Sequence, residues 1–222
     1  MTALPIDEGG EPGSPAHGRT TLLPGQGTPP ALAHRIDRTI VLVGLMGAGK
    51  SCIGKRLAGY LRLPFTDADK EVEVAAGCTI ADYFALHGEK AFREGERRVI
   101  RRLLSGPVQV LATGGGAFMD PNTRALIAER GLSIWLRADL ELMVKRVARR
   151  NGRPLLQNVD PREKLSELIT VRYPIYEQAD LTVDSMDGPP EATLSRVVSG
   201  LTAFLDKKAS TAADGQSRAA TR

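Results

Sequence analysis

The sequence predicts an α/β domain three layers deep, with a central parallel sheet covered by helices on both faces. Three observations lead there. Short apolar runs recur along the chain, beginning with IVLV at 40–43. Each is followed by a segment whose apolar residues return at helical spacing. The first run also passes directly into a glycine-rich turn, GLMGAGKS at 44–51, that opens a helix.

The elements follow in order. Residues 1–36 are crowded with Gly9-Gly10, Pro12-Gly13, Pro24-Gly25 and Pro29-Pro30 and hold no apolar period, which predicts a disordered arm. Residues 38–43 read as a buried strand. Ile53, Leu57, Tyr60 and Leu61 then share one helical face, and Pro64 ends it. A second strand ends near Asp67. Thr79 with Asp82 resembles a capping box and opens a short helix through Phe84. A longer helix from about Gly88 turns Phe92, Val99, Ile100 and Leu103 inward. Residues 108–112 form the next strand. Asp120 is an N-cap with Pro121 at the first helical position, and Gly131 is the stop. A strand at 133–136 precedes a helix carrying Leu140, Met143, Val144 and Val147, and Pro161 starts another. The last strand is 181–183, and the last helix carries Leu194, Val197, Val198, Leu201 and Phe204. Residues 206–222 are Ala, Ser, Thr and scattered charge, a flexible tail. The domain proper is therefore 37–205.

Composition narrows the function. A chain of 222 residues supports one well-filled domain more readily than two. Its net charge of +4 suits an acidic ligand without being a nucleic-acid signature, and no interleaved aromatic platform accompanies the arginines. The two cysteines, Cys52 and Cys78, lack metal-ligand spacing and read as small buried or half-buried side chains. No apolar stretch approaches the ~20 residues that cross a bilayer. The expectation is a soluble, cytoplasmic protein with no membrane or nucleic-acid partner.

GLMGAGKS matches G-x-x-x-x-G-K-[ST] between a strand and a helix, the context that motif requires. Glycines 44, 47 and 49 let successive amides curl around a phosphate at a helix N-terminus. Lys50 then reaches the β- and γ-phosphates, and the Ser51 hydroxyl ligates Mg²⁺. No N-K-x-D element marks a GTPase. The 108–112 run ends in Thr113 and three glycines rather than in the acidic pair of a motor ATPase. A small kinase remains.

Asp67 and Asp69 lie where the second strand ends, the edge at which open α/β sheets bind ligands. One carboxylate can serve a cation and the other the acceptor's hydroxyls, or both can belong to a helix N-cap with an acidic first turn extended by Glu71 and Glu73. Arg93 stands among Arg97, Arg98, Arg101 and Arg102 and by itself reads as surface. Phe84 and Phe92 by themselves read as core. Gly114-Gly115-Gly116 is either a turn needing positive φ or a place of close approach. KRVARRNGR, residues 145–153, is either a solvated basic face or a lid closing on a triphosphate.

Taken in order, G-x-x-G-x-G-K-S, D-x-D-x-x-[IV]-E, G-E-x-x-F-R-x-x-E, G-G-G, R-P-L-L and R-x-P-x-Y closely resemble shikimate kinase over about residues 38–205. The resemblance implies a P-loop fold like that of the nucleoside monophosphate kinases, with a mobile lid at about 148–160. It implies ATP and Mg²⁺, and direct in-line phosphorylation of the 3-hydroxyl of shikimate on the route to chorismate and the aromatic amino acids. Lys50, Asp69 and Arg153 would be catalytic, and Ser51 and Asp67 would hold the metal. Gly47, Ala48, Gly49, Lys50, Ser51, Cys52, Arg146 and Arg153 would bind ATP, with Arg146 over the adenine. Asp69, Phe84, Phe92, Arg93, Glu96, Gly115 and Arg172 would bind shikimate, with Glu96 orienting the arginines. The family often has Thr where this chain has Cys52. His17, His34 and His87 fall outside the motifs, so no phosphoenzyme is expected. A kinase of another hydroxy acid such as gluconate is the alternative, and a monomer with only small-molecule partners is expected.

Overall fold

A computed structural model describes residues 31–148 and 160–220. Five parallel strands form one sheet in the order β2-β3-β1-β4-β5. The apolar run becomes β1 (Thr39–Val43), buried at every residue in the middle of the sheet. Its neighbours are β3 (Val110–Ala112) and β4 (Gly131–Arg137), with β2 (Phe65–Asp67) and β5 (Leu181–Asp184) at the edges. The chain runs to one side of β1 for β2 and β3 and to the other for β4 and β5. The crevice for a ligand therefore opens at the carboxyl ends of β1 and β3.

Seven helices cover the faces of the described sheet: α1 (Lys50–Leu61), α2 (Ala68–Ala76), α3 (Ile80–Leu104), α4 (Pro121–Arg130), α5 (Leu140–Ala148), α6 (Pro161–Tyr176) and α7 (Pro190–Ala220). The main core joins both layers through Ile40, Leu42, Leu57, Ile100, Leu111, Ile134 and Trp135. Each such side chain removed from water stabilises the fold by about 1.5–3 kcal/mol. A second, smaller core of Val72, Phe92 and Val99, with Ile80, Tyr83 and Phe84 against it, lies between α2 and α3.

Several expectations change. Tyr60 is 41% exposed, so the buried face of α1 is Ile53, Leu57, Ala58 and Leu61. The two helices expected around Gly88 are present within α3 and meet at that residue, whose φ of 74° and ψ of 175° are not helical; the first runs on past Phe84 to reach it. β3 starts at Val110, two residues later than expected. Gly131 stops α4 as its C-cap, as expected, and is also the extended first residue of β4. A Cβ there would lie 3.0 Å from Val41 Cγ2 and 3.1 Å from the Thr39 carbonyl oxygen, so a larger residue would crowd the point where α4 runs into the sheet. Within the segment read as an arm, Leu32 is 7% exposed in the main core and Ala33–Arg35 make a 3-10 turn. Arg35 pairs with Asp206 at 2.7 Å, an exposed contact worth little energy. α7 continues past 206, where alanine, the strongest helix former, is frequent. Residues 1–30 of the expected arm and 149–159 of the expected lid lie outside the described residues. No described helix is long and apolar enough to cross a membrane.

Candidate active site

β1 delivers its last residue, Val43, into the phosphate loop. Gly44 and Gly47 have φ of 135° and 84°, and each backbone is in close contact: a Cβ would sit 2.7 Å from the Leu136 carbonyl oxygen at Gly44 and 3.1 Å from Met143 Cα at Gly47. No side chain caps α1 at Gly49, which leaves the helix N-terminus to a phosphate. Lys50 Nζ donates to the Gly44 and Leu45 carbonyls at 2.8 and 3.0 Å, so its cation lies across the loop. Ala48 is buried beneath the loop. Cys52 is half-buried, and its sulfur accepts from Arg56 Nη1 at 3.2 Å. From α5, Arg146 Nη1 donates to the Gly47 carbonyl at 3.2 Å and to Ser185 Oγ at 2.9 Å, while Nη2 donates to the Met186 carbonyl at 2.7 Å. This guanidinium thus ties the phosphate loop to the turn after β5.

Asp67 at the end of β2 does two jobs. Its Oδ2 accepts from the Ser51 hydroxyl at 2.7 Å, and its Oδ1 caps α2 by accepting from the Asp69 amide at 3.2 Å. The N-cap reading of this aspartate is therefore realised, with its second oxygen beside the Ser51 hydroxyl. A hydroxyl and a carboxylate oxygen side by side suit a hard cation that keeps its other positions for water and phosphate. Among the described residues no group of three or more His, Cys, Asp and Glu gathers for a metal, so this pair is the donor set offered.

The three glycines after β3 settle the second ambiguity. None has a positive φ. At Gly114 and Gly116 a side chain occupies the space that a Cβ would fill, whereas at Gly115 a Cβ would make ordinary contact. At Gly114 that atom would lie 2.5 Å from Asp69 Oδ1 and 3.1 Å from Glu96 Oε1; at Gly115, 3.5 Å from Arg172 Nη1; at Gly116, 2.5 Å from both Arg93 Nη atoms. Asp69, Arg93, Glu96 and Arg172 thus converge on one loop from α2, α3 and α6.

Arg93 Nη1 donates to Glu96 Oε2 at 2.8 Å, and its Nε and Nη2 reach Glu89 Oε1 at 3.4 and 3.3 Å. Glu96 is 4% exposed. Burial pushes its carboxyl above the ordinary glutamate range, with Arg93 opposing and Asp69 and Asp120 adding to the rise. Burial disfavours the charge on Arg93, but Glu96 and Glu89 outweigh it and raise its pKa. Phe92 belongs to the small core, Phe84 stacks on it with ring centroids 4.4 Å apart, and the Arg93 guanidinium lies 5.1 Å from the Phe92 centroid. On the α6 side, Arg172 Nη1 donates to the Gly115 carbonyl at 2.9 Å, and the Tyr176 hydroxyl donates to the same oxygen.

A protein-family model described as shikimate kinase matches residues 46–202. The chain belongs to the shikimate kinase family. A shikimate kinase of Paramagnetospirillum magneticum is 62% identical over 177 residues, 80% of this chain and 91% of that protein. The solved structure of a shikimate kinase from Acinetobacter baumannii in complex with shikimate superposes with a TM-score of 0.71 at 37% identity, covering 75% of this chain and 93% of that one. A gluconokinase from Sinorhizobium meliloti superposes with a TM-score of 0.56 at 18% identity, over 78% of this chain and 97% of that one, a likeness of the fold alone.

Within this shikimate kinase fold, the residues expected on each side of the crevice are brought together, except Arg153, which lies outside the described residues. Glu89 and Tyr176 stand in the motifs G-E-x-x-F-R-x-x-E and R-x-P-x-Y but take no role in the sequence reading, and Ser185 lies on the 184–189 loop expected to complete the adenine pocket. Glu89 stands four residues before Arg93 on a helix, a local signal. The partners of Ser185 and Tyr176 are 39 and 61 residues away, so their contacts have no local signal.

Proposed function

We propose that this chain transfers the γ-phosphoryl group of ATP to the 3-hydroxyl of shikimate. One observation carries the reading. The loop on which Asp69, Arg93, Glu96 and Arg172 converge also touches the phosphate loop, since a Cβ on Gly115 would lie 3.5 Å from the Gly44 carbonyl oxygen. A polyhydroxy acid held on the first set lies beside a triphosphate held on the second.

In this reading the amides of 47–52 cradle the phosphates, and Lys50 turns from the Gly44 and Leu45 carbonyls to the β- and γ-oxygens. Ser51 and Asp67 hold Mg²⁺, which supplies charge neutralisation at the phosphate oxygens when bound. Arg93 and Arg172 take the acceptor's carboxylate; Glu96 keeps the Arg93 fork aimed at it. Asp69 accepts hydrogen bonds from the acceptor hydroxyls and receives the proton of the attacking one. Phe84 and Phe92 form the apolar side of the ring's pocket. Arg146 lies on the adenine side, and Arg153, within a lid at 148–160, covers the transferring group. Transfer is direct, and positioning with charge stabilisation supplies the acceleration. Residues 37–205 of a single chain carry every group named, consistent with a monomer.

The test is ADP release with Mg-ATP in parallel reactions containing shikimate, gluconate or no acceptor. Release that depends on shikimate is expected. Dependence on gluconate, or none on either, overturns the assignment.

A further inference from the structure

The Gly115 carbonyl accepts from two donors at once, Arg172 Nη1 at 2.9 Å and the Tyr176 hydroxyl. The two residues stand four apart on α6 and so share a face of that helix. Their surroundings differ. Arg172 is half-buried at the mouth of the crevice, whereas Tyr176 is 0% exposed. Its ring is fixed by the rings of Trp135 and Phe118, with centroids 5.9 and 6.3 Å away. Packing rather than the hydrogen bond therefore places the hydroxyl. Burial pushes its pKa up to about 12, with Arg172 opposing, so it keeps its proton and remains a donor.

Two donors on one carbonyl look redundant until Arg172 is given an acceptor to hold. An N–H directed at a carboxylate is withdrawn from Gly115. A half-buried carbonyl left without a donor is unfavourable. With Tyr176 present the carbonyl stays satisfied and the peptide plane stays where it is. The adjoining amide and the neighbouring glycines, packed against Arg93 and Asp69, then need not move.

We infer that Tyr176 is a positioning residue that holds the Gly115 carbonyl so that the Arg172 guanidinium is released to the acceptor's carboxylate. This rests on the reading of Arg172 as an acceptor-binding group. It gives Tyr176 a signature opposite to that of a packing residue. Without the hydroxyl, Arg172 still satisfies Gly115 in the unliganded protein, so stability hardly changes. The loss appears only when acceptor binds.

The experiment uses the full chain and its Tyr176→Phe variant, measuring initial rates with shikimate and ATP varied separately and thermal midpoints without ligand. The KM for shikimate is expected to rise about tenfold, with kcat and the KM for ATP within about twofold and the midpoint within about 2 °C. In an Arg172→Lys background the same change is expected to add less than about twofold, because the two residues act through one carbonyl. A lowered midpoint with an unchanged KM for shikimate in Tyr176→Phe, or full additivity with Arg172→Lys, overturns the inference. Absence of shikimate-dependent turnover in the unsubstituted chain overturns the functional reading as well. Normal turnover with an unaffected Tyr176→Phe variant overturns the positioning role alone.

Discussion

The Ser51 hydroxyl donates to Asp67 across 2.7 Å, joining the first turn of α1 to the carboxyl end of β2. Sixteen residues separate them in sequence, and the sheet order that puts β3 between β1 and β2 sets the distance between their strands. The pair has two uses for one carboxylate, since its other oxygen caps α2. Asp67→Asn keeps a capping oxygen and is expected to hold stability within about 0.5 kcal/mol. Turnover should fall about 10²-fold and half-saturation should require more Mg²⁺. A magnesium titration of initial rate checks this, and an unchanged magnesium requirement would remove Asp67 from the metal site.

Lys50 lies across the phosphate loop with its ammonium on two carbonyls. Lys50→Ala is expected to lower turnover by about 10³-fold or more. Circular dichroism and the thermal midpoint should change little, because the loop's shape is set by Gly44 and Gly47. Rates within tenfold of the parent would place the transferring phosphate elsewhere.

Glu96 gives a pH prediction. Its folded-state pKa is raised, chiefly by burial, so it favours folding when protonated and loses that contribution as pH rises from the ordinary glutamate value of about 4.3 through its raised folded value. Glu96→Gln removes the titration. The variant should therefore gain stability relative to the parent between pH 4 and 7, while binding shikimate more weakly because Arg93 loses its charged partner. Urea melts at the two ends of that range decide it; a parent that gains on the variant as pH rises reverses the sign and the argument.

Gly116→Ala separates close approach from backbone freedom. The residue has a φ of −95°, which alanine adopts without strain. Its Cβ would nevertheless meet both Arg93 Nη atoms at 2.5 Å. Stability should hold, and the KM for shikimate should rise about 10–100-fold as the guanidinium is pushed aside. An unchanged KM would show that Arg93 does not need its present position.

The local signals read well from sequence. The apolar run of β1, the glycines of the phosphate loop, the caps at Thr79 and Asp120, the helix start at Pro161 and each single motif of the family resemblance all depend on residues near one another. The errors came where a distant neighbour decides. Gly131 reads as a helix stop, which it is, but its second place as the first residue of β4 shows only once Val41 and Thr39 are found against it. Residues 31–36 read as arm until Leu32 finds the core. Gly114-Gly115-Gly116 is ambiguous until Asp69, Arg93 and Arg172 arrive from three helices. Glu96 and Arg93 look by spacing alone like one more charged pair on an arginine-rich helix; the family motif singles them out, and burial supplies the physical reason.

The small core between α2 and α3 meets the main core through Leu103, which packs against both. Two apolar clusters joined at one leucine behave as two cooperative units. Amide hydrogens in α2 and in the part of α3 before Gly88 should therefore exchange with solvent ahead of those in β1 and β3. Asp69 and Arg93 belong to the looser unit, and Gly115 and Arg172 to the tighter. If shikimate binds to all four as proposed, it would act as a rivet between them, and the exchange rates of α2 would record its arrival.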